Sequence, residues 1–329
     1  MRRPRASRVT RWAMALIAAL VLLRPGPAAA EDWPARSVRL IVPYPPGGNA
    51  DVVGRIVAHA LQEKLGQPFV VENKAGAGGL IGGEAVASAA PDGYTYLLSA
   101  NGPVLYAPEL AARKPYEWHK SFVPVGTASL TSLALVVHPS VPAQTLDEFI
   151  ALARREGEKL TFASGGIGTS NHLFSELIQS QAHVKWTTVQ YKGTAPAMND
   201  LLGGHVQLSI DQVSASLPHI RAGRVRALAV SGAKRVPWLP DVPTFAEKGY
   251  PNLVGYTFVA LLAPAGTPGD VVRKFAAALK AVVGDPAVKK QIETLCAEPE
   301  AMLLDDFRAY LEKESDVWLP VVRSVTPPQ

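Results

Sequence analysis

The stretch VRLIVPYPPGGNAD, residues 38–51, contains a strand, a loop and the start of a helix in direct succession. VRLIV is a short apolar run rich in β-branched residues, and Pro43 ends it, which predicts a buried strand. The loop that follows is dense in Pro and Gly. From Asp51 the apolar positions recur with helical spacing until Gly66, so a helix is predicted here with Asp51 as a candidate N-cap.

The same unit of strand, loop and helix recurs along the chain, which predicts an α/β fold. Strands at 69–71 and 94–98 enclose a helix at 83–90, and this βαβαβ order predicts a parallel sheet with right-handed crossovers. A second set of units follows, and three late helices are expected to return and pack on the first part. The later predicted strands are 133–137, 160–163, 187–191, 206–210 and 225–230, and the later predicted helices are 146–155, 173–181, 195–202, 271–283, 287–295 and 306–317.

The chain is long enough for two domains. Beyond its first thirty residues it has about 300 residues, which can bury a large core. No long linker divides it, so the first domain is predicted to be discontinuous, residues 31–130 and 255–329, around a second domain, residues 131–254. The two crossings between these domains, near Thr127 and Gly255, would then act as hinges.

The basic character of the chain is confined to its first thirty residues. The formal net charge is +5, but residues 1–30 hold six arginines and no acidic residue. Without them, 27 basic side chains face 28 acidic ones, and the net charge of the rest is −1. This balance argues against nucleic-acid binding, which depends on a clustered excess of Lys and Arg.

Residues 1–30 have the order of a secretory signal peptide. An arginine-rich start precedes twelve mostly apolar residues, and Ala28-Ala29-Ala30 offers an A-x-A cleavage pattern. Twelve apolar residues are too few to span a bilayer, which takes roughly 18 or more, so a membrane anchor is the weaker interpretation. We expect cleavage near Ala30 and a periplasmic protein.

Residues typical of catalysis or metal binding form no recognisable motif. The seven histidines show neither H-x-x-x-H nor H-E-x-x-H spacing, and no G-x-S-x-G elbow occurs. The single cysteine, Cys296, cannot form an internal disulfide and has no base close to it in sequence. We therefore expect no catalytic residue, no metal and no cofactor.

Two glycine-rich loops follow strands, at the edge where ligands bind in open α/β sheets. The first, residues 43–51, would direct the free amides of Gly47, Gly48 and Asn49 at a ligand above the helix. The second, residues 164–172, again connects a strand to a helix. Either loop alone is also explained by a tight turn, but two equivalent loops favour a shared cleft for a small carboxylate. Neither contains Lys or Arg, so backbone dipoles, hydroxyls and ordered water would bind the anion.

A third glycine-rich stretch, residues 73–82, superficially suggests a dinucleotide fingerprint. It follows the second strand rather than the first, and Glu84 and Asp92 are badly placed for a ribose contact. We interpret it as a structural loop. His172, at the end of the second loop, is interpreted as a capping or packing residue more readily than as a base or a ligand contact.

Several short runs are spread over nearly the whole chain beyond residue 30. They are PYPPGGNAD (43–51), VENK with GAGG (71–79), PDGYT (91–95), YKGTAPA (191–197), LPHIRAG (217–223), LPDVPT (239–244) and LAPAGTP (262–268). In order and spacing these runs resemble the extracytoplasmic solute receptors of tripartite tricarboxylate transporters, the Bug or TctC-like family. Gln190 departs from the pattern where a proline commonly precedes the YKG run.

The resemblance implies a two-domain periplasmic binding protein of type II, a Venus-flytrap fold with two doubly wound sheets and a hinge. Such a receptor is not an enzyme; it closes on a small organic acid and docks on membrane permease subunits. The acid would be a di- or tricarboxylate, an acidic amino acid or an aromatic acid, and we expect a monomer. The residues carried over to the carboxylate are Tyr44, Gly47, Gly48 and Asn49 on one side and Ser164, Gly165, Gly168, Thr169, Ser170 and His172 on the other, with Asn101, Thr194, Ala195 and Asp211 expected at the far end of the ligand.

Two other classes of function stay open from the residues. A secreted α/β hydrolase would use Ser164 or His172, but no titratable trio completes such a site. A sensor that presents its closed form to a membrane kinase needs the same closed shape as a transport receptor, so the sequence does not separate these two.

Overall fold

The computed structural model describes residues 33–325, so the predicted signal peptide and its cleavage site lie outside the described residues. The strands are β1 (Val38–Val42), β2 (Phe69–Asn73), β3 (Thr95–Ser99), β4 (Phe122–Val137), β5 (Thr161–Ser164), β6 (Thr187–Gln190), β7 (Leu208–Gln212), β8 (Arg226–Val230), β9 (Tyr256–Pro264) and β10 (Glu298–Pro299). The helices are α1 (Asn49–Leu65), α2 (Leu80–Ala87), α3 (Ala107–Leu110), α4 (Trp118–Ser121), α5 (Leu146–Glu156), α6 (Ser170–Ala182), α7 (Thr194–Leu202), α8 (Val213–Arg221), α9 (Gly269–Gly284), α10 (Pro286–Thr294) and α11 (Leu304–Ser324), with a turn of π-helix at Gly102–Tyr106.

The strands follow the order β2-β1-β3-β9-β4-β7-β5-β6, and β8 and β10 also pair with β4. At one end, β1 pairs in parallel with β2 and β3; at the other, β5 pairs in parallel with β6 and β7. The two parallel sets confirm the sheet type predicted from the alternation of strands and helices. We call β2, β1, β3 and β9 the first sheet section and β7, β5, β6 and β8 the second.

The long strand β4 belongs to both sections. It pairs antiparallel with β9 from Phe122 to Ser132, and with β7 and β8 from Leu133 to Val137. The predicted strand at 133–137 is therefore only the second part of a strand that begins eleven residues earlier. Pro124 interrupts the strand pattern there, and the register with β9 shifts beside it. The change of partners at Leu133 lies beyond Thr127, where the first hinge was expected.

The late helices pack as predicted on the first sheet section, and α11 also reaches the second. In α9, Phe275 packs on Trp33 and Tyr96, with ring centroids 5.5 and 4.5 Å away. In α11, Trp318 lies 6.1 Å from the ring of Tyr106 and 6.0 Å from that of Phe174 in α6. The last helix thus connects elements that belong to different sheet sections.

Within residues 33–325, no helix combines the length and the apolar character that a bilayer span requires. In the same part of the chain, no three His, Cys, Asp or Glu side chains are grouped as a metal site would need. Cys296 is half-buried and carries a free thiol.

Candidate functional site

A cleft of about 890 Å³ lies at the carboxyl ends of the parallel strands, between the two sheet sections. Its walls come from the loops that follow β1, β2, β3, β5 and β6, and Thr257 and Val259 of β9 also line it. Both glycine-rich loops that were predicted to share a site therefore face one cavity. This is the position at which open α/β sheets bind ligands.

The first loop leaves the start of α1 without a side-chain cap. Gly48, in extended conformation (φ −75°, ψ 165°), is the N-cap, and the first intrahelical bond runs from Val52 N to Gly48 O. Among the described residues, the backbone amides of Asn49, Ala50 and Asp51 have no acceptor. Unpaired amides and the helix dipole give this end a partial positive charge, which suits an anion.

Asp51 is not the N-cap that the sequence predicts. It lies in the first turn of α1, where its Oδ2 accepts a bond of 2.9 Å from Gly47 N. That bond occupies the Gly47 amide, so this amide is not free for a ligand. Arg55 and Asn73 also donate to the Asp51 carboxylate. Burial raises the pKa of Asp51, but the bonds from Arg55, Gly47 and Asn73 outweigh it and lower the pKa below its ordinary value.

The second loop is held by bonds within itself. The amide of Gly168 donates to His172 Nδ1 at 3.3 Å, and the amide of His172 donates to Thr169 Oγ1 at the same distance. Ser164 Oγ accepts from the amide of Gly166 at 3.2 Å. Burial lowers the pKa of His172, which favours the neutral ring that can accept the Gly168 bond. His172 and Ser164 therefore shape the loop and do not line the cleft.

Asp211 lies behind the cleft wall, at the end of β7. Its Oδ1 accepts from Asn171 Nδ2 at 3.2 Å and from the Gln212 amide at 2.8 Å, and Asn171 and Gln212 both line the cleft. Burial raises the pKa of Asp211 to about 6, although these two bonds partly offset the increase. Asp211 is thus placed to position two wall residues.

Asn101 is fully buried between β3 and β9 and does not line the cleft. Its Nδ2 donates to Tyr256 O at 3.0 Å, and its Oδ1 accepts from Phe258 N at 2.9 Å. Both polar ends of the side chain are therefore used by the backbone of β9. The other two residues expected at the far end of the ligand begin α7, where Thr194 lines the cleft and Ala195 does not.

The structure divides the residues proposed for the site into two groups. Those that line the cleft are Tyr44, Gly48, Asn49, Gly165, Gly168, Thr169, Ser170 and Thr194. Those that lie outside its lining are Gly47, Asn101, Ser164, His172, Ala195 and Asp211.

Residues 75–79, in the third glycine-rich loop, also line the cleft, so this stretch is more than the structural loop that the sequence predicts. This loop follows β2, which is parallel to β1, so the rule that places ligands at the carboxyl ends of strands applied to it as well. Gly76, Gly78 and Gly79 all have positive φ, which suits a tight turn next to a ligand. Asn171, Gln212 and Thr257 also line the cleft without having been proposed.

The residues that line the cleft suit the binding of a ligand and not its chemical conversion. Among the described residues, its lining includes no Lys, Arg, His, Asp or Glu. It therefore offers neither a nucleophile with its base nor a charged partner for a ligand. What it offers is backbone amides at helix N-termini, a few hydroxyls and amide side chains, and an apolar wall.

The family model and the similar curated proteins point to the same family. The sequence model of the family described as tripartite tricarboxylate transporter family receptor matches residues 53–326. The chain is 38% identical to protein BugT of Bordetella pertussis over 298 residues, which cover 90% of this chain and 91% of BugT.

Two solved structures of similar proteins carry bound acids. The structure of R. palustris Rpa4515 with adipate is 34% identical, with a TM-score of 0.77, and the match covers 89% of this chain and 98% of that chain. MatC from Rhodopseudomonas palustris with bound malate is 30% identical, with a TM-score of 0.73 and coverage of 88% and 100%. The fold class predicted from the sequence is thereby confirmed. The chain belongs to the tripartite tricarboxylate transporter receptor family, the Bug or TctC-like periplasmic solute-binding receptors, and it is not an enzyme.

Proposed function

We propose that this receptor captures a small carboxylate in the cleft between its two sheet sections and delivers it to a membrane permease. The observation that carries the proposal is the uncapped start of α1, whose free amides at Asn49 and Ala50 belong to residues that line the cleft. A carboxylate accepts bonds from such amides and is favoured by the helix dipole. The acids bound to Rpa4515 and MatC, adipate and malate, support the same class of ligand.

Binding is proposed to close two domains, residues 31–130 with 255–329 and residues 131–254. Leu110 of α3 lies close enough to the second loop that a Cβ at Gly168 would overlap its Cδ1. The two sides of the cleft therefore meet at this point. β4 and the segment that leads into β9 connect the two sheet sections and would act as the hinge. The closed shape would then be the form that a permease subunit recognises.

The location, cleavage and oligomeric state of the mature protein are also part of this proposal. We propose that the receptor is exported to the periplasm, that the signal peptide is cleaved near Ala30, and that the mature chain is a monomer. Mass spectrometry of the periplasmic protein tests the cleavage site. Size-exclusion chromatography with light scattering tests the oligomeric state.

A thermal unfolding screen of the purified protein tests carboxylate binding. The panel holds di- and tricarboxylates, acidic amino acids and aromatic acids, with sugars and cations as comparison classes. A ligand at a hundred times its Kd stabilises a protein by about 2.7 kcal/mol, which gives a clear rise in melting temperature. A flat response to every acid, together with a response to sugars or cations, would contradict the proposal.

A further inference from the structure

Thr257 has a buried hydroxyl without a partner in the wall of the cleft. Of the described residues whose buried hydroxyl makes no hydrogen bond, only Thr257 lines the cleft, with 6% of its surface exposed. A buried polar group without a partner is unfavourable, so natural proteins keep few of them. The position of Thr257 indicates a partner that comes from the ligand, an inference that rests on the proposed function.

The strand β9 directs Thr257 to the cleft. Asn101 Nδ2 donates to Tyr256 O at 3.0 Å, and its Oδ1 accepts from Phe258 N at 2.9 Å, so one side chain holds the backbone on both sides of Thr257. Successive side chains of a strand point to opposite faces. Phe258 packs on the far face against Phe307 of α11, with ring centroids 5.6 Å apart, whereas Thr257 lines the cleft. The strand therefore fixes the direction of Thr257, and no bond of its own hydroxyl is needed.

Thr257 lies beside the uncapped start of α1. In the antiparallel ladder it is paired with Thr131, and paired side chains lie on one face with Cβ atoms about 4.5–5.5 Å apart. Thr131 Oγ1 accepts from Asn49 Nδ2 at 3.4 Å, which brings Asn49 to the same place. The amides of Asn49 and Ala50 have no acceptor among the described residues. Two amides and one hydroxyl are therefore available on this side of the cleft.

These three donors suit one carboxylate. An ionised carboxylate only accepts hydrogen bonds and has about four lone-pair positions, so it can accept from both amides and the hydroxyl at once. Rotation about χ1 lets the Thr257 hydroxyl turn toward a ligand oxygen without a change in the backbone. The bond would be charge-assisted, and such bonds are roughly twice as strong as neutral ones. We infer that Thr257 is a ligand-binding residue whose hydroxyl donates to the carboxylate at the start of α1.

The opposite wall provides donors of its own. The amides of Ser170, Asn171 and Thr194 have no acceptor within the described chain, and all three residues line the cleft. Other polar groups of a ligand can therefore bind there, while Thr257 contributes to the α1 side alone. A comparison of side chains at position 257 is informative whatever the number of carboxylates in the ligand.

Two substitutions separate the hydroxyl from the shape of the side chain. Thr257→Val keeps the size but removes the hydroxyl, whereas Thr257→Ser keeps the hydroxyl. Isothermal titration uses the preferred acid, which is the acid that raises the wild-type melting temperature most in a thermal screen that includes adipate and malate. We expect Thr257→Val to bind it about tenfold more weakly, and Thr257→Ser to stay within about threefold of the wild type.

The melting temperature of the free protein distinguishes a ligand contact from a structural role. Thr257→Val removes a buried hydroxyl that has no partner, so the free variant should melt at the temperature of the wild type or above it. Ser132→Ala is the matched control. Ser132, next to Thr131 in β4, also has a buried hydroxyl without a described partner, but it lies outside the cleft lining. This control should bind the preferred acid as the wild type does.

The possible results bear either on Thr257 or on the proposed function. Wild-type affinity in Thr257→Val overturns the role of Thr257 and leaves the proposed function standing. An equal loss of affinity in Thr257→Ser, or a lower melting temperature of free Thr257→Val, does the same. No binding of any acid of the screen by the wild type overturns the proposed function, and the role of Thr257 with it.

Discussion

Asn171 Nδ2 donates a hydrogen bond of 3.2 Å to Asp211 Oδ1, the same oxygen that accepts the Gln212 amide at 2.8 Å. The bond joins the first turn of α6 to the end of β7, and it fixes two residues of the cleft wall. Because both bonds end on one oxygen, an asparagine at position 211 can accept both through its own Oδ1. The charge of Asp211 can therefore be removed while these bonds are kept.

Asp211→Asn is expected to stabilise the protein at neutral pH. Burial raises the pKa of Asp211 to about 6 from 3.8, so the folded state holds a proton that the unfolded state releases between these values. The stability of the wild type falls as the pH rises through this window and is level above it. With about 1.4 kcal/mol for each pKa unit, the variant should gain about 3 kcal/mol of unfolding free energy at pH 7 and none near pH 3.5.

Chemical denaturation of both proteins at the two pH values measures this gain. Asp270→Asn, an exposed aspartate at the start of α9, is the control and should show no such dependence. An equal gain at both pH values would mean that the effect does not come from ionisation of Asp211. Since Asn171 and Gln212 keep their bonds, the affinity for the preferred acid should stay within about threefold of the wild type.

Asn49 and Asn101, both proposed for the site from the sequence, are expected to behave in opposite ways. Asn101→Ala leaves Tyr256 O and Phe258 N without their partners inside the core, and it should cost about 3 kcal/mol of stability. Asn49 is half-buried in the cleft and makes only one long bond, so Asn49→Ala should cost under about 0.5 kcal/mol but weaken ligand binding. Denaturant titration and calorimetry on both variants separate the roles. A stable Asn101→Ala variant with impaired binding would reverse this assignment.

Gly48→Val is expected to abolish ligand binding without unfolding the protein. Gly48 has φ −75°, which a valine adopts without strain, and the nearest atom to an added Cβ is Pro45 O at 4.0 Å. The added side chain would stand at the uncapped end of α1, where the carboxylate is proposed to bind. Because glycine is preferred to valine at an N-cap, the unfolding free energy should fall by about 1 kcal/mol, while affinity falls by at least about a hundredfold.

The choice of glycine matters for this experiment. Gly47, the neighbouring position, has φ 89°, so a valine there would be strained and a loss of binding would be ambiguous. Gly284, at the end of α9, has open space around an added Cβ and is the matched control for the substitution itself. Binding retained by Gly48→Val would mean that the first loop does not hold the ligand.

The sequence predicted the parallel strands well because their pattern is local. β1 was predicted with its observed ends, since a β-branched run and Pro43 determine them without help from the rest of the fold. β9 was not predicted, although Tyr256–Pro264 is largely apolar, because its role as the antiparallel neighbour of both β3 and β4 is a property of the whole sheet. Only the end of α8 was predicted from the sequence and not its start, because Pro218 within it disguises the helical pattern.

The position of the candidate site could be predicted from the sequence, but not all of its side chains. Glycine loops after parallel strands identified the two walls, since loop position follows from strand order. The sequence could not tell which polar side chains face the cleft. Ser164 and His172 are as polar as Ser170, which lines the cleft, but their hydrogen bonds turn them inward to support the loop. Such a division depends on side-chain geometry and not on residue type.

The C-terminal helix carries a second buried acid, Glu314, at the contact between the two sheet sections. Its Oε2 accepts from Trp318 Nε1 at 2.9 Å, and Trp318 packs on both Tyr106 and Phe174. Burial raises the pKa of Glu314 to about 7 from 4.5, although the bond from Trp318 partly offsets the increase. Below a pH of about 7, the folded state therefore holds Glu314 in its protonated form beside these aromatic rings.

Glu314→Gln is expected to stabilise the fold only where the wild type is ionised. The glutamine oxygen can still accept from Trp318, so the change removes a proton equilibrium and little packing. Wild-type stability falls as the pH rises from 4.5 to 7, and the variant should exceed it by about 3 kcal/mol at pH 8 and match it near pH 4. Glu312→Gln, on the exposed side of the same helix, should differ little from the wild type at either pH. If Glu314→Gln gains equally at pH 4 and pH 8, the buried charge is not what limits stability at this contact.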